Sequence, residues 1–298
     1  MKKWALMLNR IKSEVLNLGL KFISVDEKIV RMLLETSPSN VNEIVILPAI
    51  KIVMKKILQK LQNKRNHGRV YNGEINNVRV SVIRSLMGAP NCAITVECLR
   101  RCKTKLIIRV DTCGGIETSN MKVDIGNIII PKLAFCDEGT SPQYIRENPS
   151  LANDLDAIPN PFTKFQNLLT GNQTIFISRP NINLNEVLLN SGNALFTNKT
   201  ISGYLWTTDA LFCESLDFVR ALQSINIQGI DMESSILFLL GKLYNLKTAS
   251  ILSVTDLPGH LKYDLLHSKE IHPDMENGIN NSLKLLFNSL PKIKSDIL

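Results

Sequence analysis

The sequence lacks the spacing of a metal or disulfide scaffold. Its six cysteines (Cys92, Cys98, Cys102, Cys113, Cys136 and Cys213) include no CxxC pair. Three of its four histidines, His260, His267 and His272, fall in the last forty residues, and His67 stands alone. That distribution argues against a metal site and for reduced thiols in a cytosol, so the expected location is cytoplasmic. Long hydrophobic runs are also missing. A helix that crosses a bilayer needs roughly 18 apolar residues, and the longest candidates, such as "IVILPAIKIVM", are broken by Pro48 and Lys51. The opening "MKKWALMLNRIK" has too few apolar residues before Asn9 and Arg10 for a secretory signal, and reads as an amphipathic surface helix. No internal repeat or low-complexity tract occurs.

Charge is scarce, at 21% of residues, and unevenly placed. Residues 1–65 hold 13 Lys or Arg against 5 Asp or Glu, a surplus of 8 that equals the net charge of +8, so the rest is balanced at 22 against 22. A basic quarter can meet nucleic acid, but no aromatics interleave with its basic residues. A solvated helix such as "KKILQKLQNKR" accounts for the charge, and neither a nucleic-acid nor a membrane partner is expected.

What is present is core-forming material. With 298 residues at 44% hydrophobic, the chain can bury a full core as one large domain or two small ones. The segments "EIVILPA", "VRVSVIR", "KLIIRVDT", "VDIGNIIIPKLAF", "QTIFISRP", "TISGYLWTT" and "TASILSVTD" read as strands. Between them "APNCAITVECLRRC", "NEVLLNSGNALF" and "DMESSILFLLGKLYN" read as helices. Such alternation implies an α/β sandwich with a sheet covered on both faces. The tail "PKIKSDIL" and the stretch "SPSNVN" are expected to be disordered.

The stretch "IIRVDTCGGIE" carries the first chemical signal. A strand ending in Arg109, then a Thr hydroxyl and a glycine pair that lets backbone approach a ligand, makes an anion pocket at the carboxyl edge of a sheet. The same residues also allow an edge arginine paired with Asp111, since residues two apart on a strand project from one face. Glu233 in "DMES" is an acceptor-only carboxylate suited to two hydroxyl donors, or a glutamate favoured by a helix start. Asp256 in "SVTD" suits a general acid with a raised pKa, or a cap on the next turn.

Taken in order, "MGAPNCAITVECL", "IIRVDTCGG", "CDEGTSPQY", "TTDALF", "GIDMESSILFLL" and "SVTD" resemble the motifs of the nucleoside phosphorylases of the uridine phosphorylase and hexameric purine nucleoside phosphorylase type. The likeness runs over residues 15–290. It implies a single-domain three-layer α/β/α sandwich with a twisted mixed central sheet over residues 1–298, with a helical, basic N-terminal extension (1–40) and a flexible tail (291–298). It also implies reversible phosphorolysis, in which phosphate attacks C1' of a ribonucleoside to give free base and ribose 1-phosphate.

The same resemblance assigns roles. Arg109 and Thr112 would bind phosphate, joined by Arg69 from across a dimer interface. Met232 would lie under the ribose and Glu233 would hold its hydroxyls. Cys113, Gly114 and Phe212 would line the base, and Asp256 would protonate it as it leaves. No metal or organic cofactor is implied, since phosphate is a co-substrate, and a homo-oligomer, a dimer or a hexamer of dimers, is expected.

The chain departs from the family pattern where phosphate would sit. The loop "GDPxR" is replaced by "AIKIV", so Ala49 stands for the glycine and Val53 for the arginine, with Lys51 the cation left in that loop. Asn17 stands for the histidine of "HLGL", and Asp111 for the glycine of "RxGT". A carboxylate 4 Å from a phosphate oxygen costs about 4 kcal/mol at an effective dielectric near 20. Phosphorolysis, a hydrolytic nucleosidase, and a weakly active or inactive nucleoside-binding partner subunit are therefore all compatible with these residues.

Overall fold

β-branched runs bounded by turn residues form the strands of the computed structural model, which describes residues 23–164 and 172–298. The expected amphipathic start and Asn17 lie outside the described residues. In chain order the strands are β1 (Ile44–Ile46), β2 (Gln62–His67), β3 (Val70–Ile75), β4 (Val78–Ile83), β5 (Leu106–Gly115), β6 (Ile128–Cys136), β7 (Asp156–Pro159), β8 (Thr174–Ser178), β9 (Thr200–Thr207), β10 (Gly229–Asp231) and β11 (Lys247–Asp256). The helices are α1 (Val25–Leu34), α2 (Lys51–Lys60), α3 (Ala89–Leu99), α4 (Ser141–Glu147), α5 (Pro149–Asn153), α6 (Ile182–Leu195), α7 (Leu216–Ser224), α8 (Ser234–Leu243) and α9 (Asp274–Asp296).

The strands form one mixed sheet in the order β2-β3-β4-β1-β5-β10-β9-β6-β8-β7, with β11 joining β5 to β6. β5 runs parallel to β1 and β11 and antiparallel to β10. Because β10 pairs with β9, β9 with β6, and β6 with β11, the sheet's twist closes these five strands into a ring.

The alternation of β5 sorts its side chains between two helical layers. Ile107 and Cys113 pack with Val30, Val96 and Leu237 of α1, α3 and α8. Leu106, Ile108 and Val110 face Val53, Leu188 and Leu286 of α2, α6 and α9. Helices thus cover both faces, as the alternation in the sequence implies. By the same parity Arg109 and Asp111 share the α3 and α8 face, where α8 begins.

Three local expectations are corrected. The basic helix of "KKILQKLQNKR" stops at Lys60, and "QNKRNH" turns back as β2, an exposed edge strand paired with β3. The reversal uses Gly68 at φ +59°, where a Cβ would sit 2.3 Å from the Glu35 carbonyl oxygen. The "SPSNVN" stretch is ordered: Asn40 donates to Thr36 Oγ1 at 3.0 Å and accepts from Asn72 at 2.6 Å.

Nor is the segment 291–298 a loose tail. α9 continues through Pro291 to Asp296 because its apolar stripe, Leu286, Leu290 and Ile293, is fully buried against the sheet. Lys247 also donates to the Ile297 carbonyl. Ile293→Val should therefore lower unfolding stability by about 0.5–1.5 kcal/mol; an unchanged urea midpoint would show that this end does not dock.

Candidate functional site

The carboxyl ends of β5, β10 and β11 meet the N-terminal ends of α2 and α8 around a cavity of about 180 Å³. The sheet brings together seven residues predicted from the sequence: Arg109, Thr112, Cys113, Gly114, Met232, Glu233 and Asp256 all line it.

Its floor is a buried charge cluster. The Arg109 guanidinium, 3% exposed, donates through Nη1 to Asp231 Oδ2 at 3.0 Å and through Nη2 to Glu233. Asp111 Oδ2 stands 3.8 Å from the same Nη2. This arrangement combines two chain features. Asp231 ends β10 while Glu233 precedes α8, and β5 passes beneath both, so the short turn aims two carboxylates at one arginine inside β5.

Each partner is itself fixed. Asp231 accepts from Thr207 Oγ1 at 2.7 Å and from the Ser234 amide at 3.0 Å, which caps α8. Glu233 Oε1 accepts from the Gly88 amide at 2.7 Å, and Gly88 holds φ +96°, a conformation that favours glycine. In the "DEGTS" loop the fully buried Glu138 accepts from the Thr140 and Ser141 amides and from Ser235 Oγ, which ties that motif to α8 rather than to the cavity.

The pKa shifts follow from burial and charge. Desolvation opposes the Arg109 cation, but Glu233, Asp231 and Asp111 hold it protonated and raise its pKa. One guanidinium cannot balance three carboxylates, so some of them are driven toward the neutral acid. Burial pushes Glu233 up to about 7 against the pull of Arg109. Burial also raises Asp111, opposed by Arg109 and by the amides of Ala49, Thr112 and Ile50.

The edge-arginine expectation is corrected here: β5 is an interior strand, and Arg109 is shared among three carboxylates rather than paired with Asp111 alone. Asp111 turns to the loop before α2, where its Oδ2 accepts the Ala49 amide. Arg84 Nε holds that loop from outside by donating to the Ala49 carbonyl at 2.8 Å. Val53, in the family arginine's place, is buried in the core with Met54 and Ile57. Lys51 is exposed and does not line the cavity.

At the other end Asp256 closes β11 opposite Gly114, after a register shift at Thr255. Burial raises its carboxyl to about 6, with Asp264 adding to the rise and the 3.1 Å bond from Thr255 Oγ1 opposing it. Gly114 meets Pro258 so closely that a Cβ would lie 2.9 Å from its Cγ.

One assignment falls elsewhere. Phe212 is 85% exposed and outside the cavity, while Leu211 lines it. Laying "TTDALF" on the family's "TSDxFY" puts Leu211, not Phe212, at the inward aromatic. Arg69, expected to serve a neighbour's site, lies outside this chain's own cavity: its guanidinium donates to the Leu33 carbonyl at 2.9 Å and the Arg84 carbonyl at 3.1 Å, closing the end of α1.

Two lining carboxylates were missed. Asp231 sits inside the quoted motif "GIDMESS", and two-residue spacing from Glu233 was its available signal. Glu214 reaches the cavity through the short turn Leu211–Cys213, which no periodicity reveals. Burial, with Asp256 and Asp264 nearby, raises Glu214 to about 8.

Known proteins share this fold. The family model described as the phosphorylase superfamily matches residues 43–290. A purine nucleoside phosphorylase DeoD-type of Buchnera aphidicola is 28% identical over 216 residues, covering 72% of this chain and 78% of its own. A uridine phosphorylase of Thermococcus kodakarensis is 31% identical over 143 residues, covering 45% and 50%. Among solved structures, uridine phosphorylase of Vibrio fischeri aligns at a TM-score of 0.64 and 22% identity, over 86% of this chain and 95% of that one. Purine nucleoside phosphorylase of Toxoplasma gondii in complex with immucillin-H aligns at 0.64 and 17%, over 88% and 95%.

Proposed function

The chain belongs to the phosphorylase superfamily, and from that premise we propose that it binds a nucleoside and breaks its N-glycosidic bond, passing the ribosyl group to a small acceptor. The observation that carries this reading is one cavity with a sugar-type end, Met232 and Glu233, and an acid at the other end, Asp256.

Glu233 would exchange part of its contact with Arg109 and Gly88 for the ribose hydroxyls, with Met232 under the ring. Backbone at Cys113 and Gly114 would edge the base, with Leu211 against its face. Asp256, with its pKa near 6, holds a proton in a useful fraction of molecules near neutrality and would deliver it to the leaving base. Such a proton favours a purine, whose imidazole nitrogen can take it. Relatives named for purine nucleosides and for uridine both align, so the base preference rests on Asp256 alone.

Incubating the purified protein with inosine, adenosine and uridine, with and without phosphate, and following free base tests the reading. Base release from inosine or adenosine in either condition is expected. No release from any nucleoside in any condition would overturn it and leave a nucleoside-binding subunit.

A further inference from the structure

We infer that the Asp111 carboxylate occupies the anion seat of this cavity, so that the site refuses inorganic phosphate and water is the ribosyl acceptor. The acceptor part rests on the glycosidic cleavage proposed above; the refusal of phosphate stands on geometry alone.

An external anion in such a site needs free amides at a helix start and an uncommitted cation. Here Asp111 holds the amide that leads into the helix, and three carboxylates surround the cation. Burial raises the Asp111 carboxyl, yet the Ala49 amide, which leads into α2, already donates to its Oδ2, and the amides of Ile50 and Thr112 bond it too. Among the described residues Arg109 is the single Lys or Arg lining the cavity, and it is bound to Asp231 and Glu233 with Asp111 beside it. Five carboxyl groups line the space against that one cation: Asp111, Glu214, Asp231, Glu233 and Asp256.

The substitutions around the seat point the same way. Val53 is buried in the core, and Arg69 donates to the carbonyls of Leu33 and Arg84. Asp111 is 2% exposed and cannot move aside without leaving the Ala49 amide unpaired. Phosphate would bring its negative charge beside Asp111, Asp231 and Glu233, which already share the Arg109 guanidinium. Water brings none and needs little room.

The balanced step follows. The water oxygen bonds to C1', and the C1'–N bond breaks with its electron pair passing to the base. The base takes the Asp256 proton, and the proton shed by the attacking water goes to the Glu233 carboxylate. Once solvent carries that proton from Glu233 back to Asp256, the net change is nucleoside plus water to ribose plus free base.

Two measurements on the full chain decide it. In the first, phosphate is titrated into the protein by calorimetry, and the sugar product is identified with and without phosphate. No heat of binding, and free ribose in both conditions, are expected; saturable phosphate binding or ribose 1-phosphate from the unaltered protein would overturn the inference. In the second, Asp111→Gly vacates the seat and should tighten phosphate binding on the order of a hundredfold, since one like-charge contact costs several kcal/mol and each 1.4 kcal/mol is tenfold. A folded Asp111→Gly protein, checked by circular dichroism, that still ignores phosphate would remove Asp111 as the cause. If no base is released in any condition, the proposed function falls, and the phosphate titration still decides the Asp111 assignment.

Discussion

Replacing Arg109 with methionine should lower the stability of the fold by about 3–5 kcal/mol, the usual result of removing one partner from a buried ion cluster. Arg109 faces Asp231, Glu233 and Asp111 within 3.8 Å or less, and all four side chains are almost wholly buried. Without the guanidinium, three carboxylates remain in a low-dielectric space and must take up protons or open the turn before α8 to water. The loss should show as a lower urea midpoint at neutral pH and shrink toward pH 5 as Glu233, raised to about 7 by burial, takes up its proton. Adding Glu233→Gln to Arg109→Met should recover part of it, because contacting residues do not add independently. A midpoint unchanged by Arg109→Met would mean that the cluster is already neutralised in another way.

The large elements of this fold were legible because burial imposes period. β5, β6, β9 and β11 are β-branched runs buried on both faces, and α8 is an apolar run too long for a strand. The edge hairpin of β2 and β3 was not: "QNKRNH" is almost wholly exposed, and cross-strand pairing with β3 decides its state rather than propensity. The end of α9 failed for a related reason. Pro291 and the lysines of "PKIKSDIL" suggest a loose end, whereas Ile293 and Ile297 alone reveal docking once the sheet beneath them is known.

The site shows the same division. Arg109, Thr112 and Asp256, on the paired strands β5 and β11, could be placed by motif because strand register fixes where they emerge. Phe212 and Glu214 lie on an irregular turn, where one residue of offset exchanges inside for outside. Asp111 was recognised as a departure, but its target was invisible: the Ala49 amide is 62 positions away in sequence.

Asp256→Asn should reduce base release from a purine nucleoside by about 10²–10⁴-fold, the usual contribution of a positioned general acid. The amide keeps the size of the side chain and its contact with Thr255 but has no proton to give, so the loss should fall on kcat more than on KM. A riboside whose leaving group needs no proton, such as 4-nitrophenyl riboside, should be spared; equal loss on both substrates would mean a structural role. The pH dependence supplies the sign. With its folded pKa near 6 against an ordinary value of 3.8, Asp256 binds its proton more tightly folded than unfolded. Its contribution to stability is therefore fully present below the ordinary carboxylate range and is lost as pH rises through 6. Purine release should fall over the same range above pH 6 as the acid ionises. The asparagine variant should lack both dependences, being slower at every pH yet more stable than the unaltered protein above pH 6. A variant whose kcat/KM still falls through pH 6 would assign that titration to Glu233, raised to about 7 by burial, and leave Asp256 as a residue that only shapes the base end of the cavity.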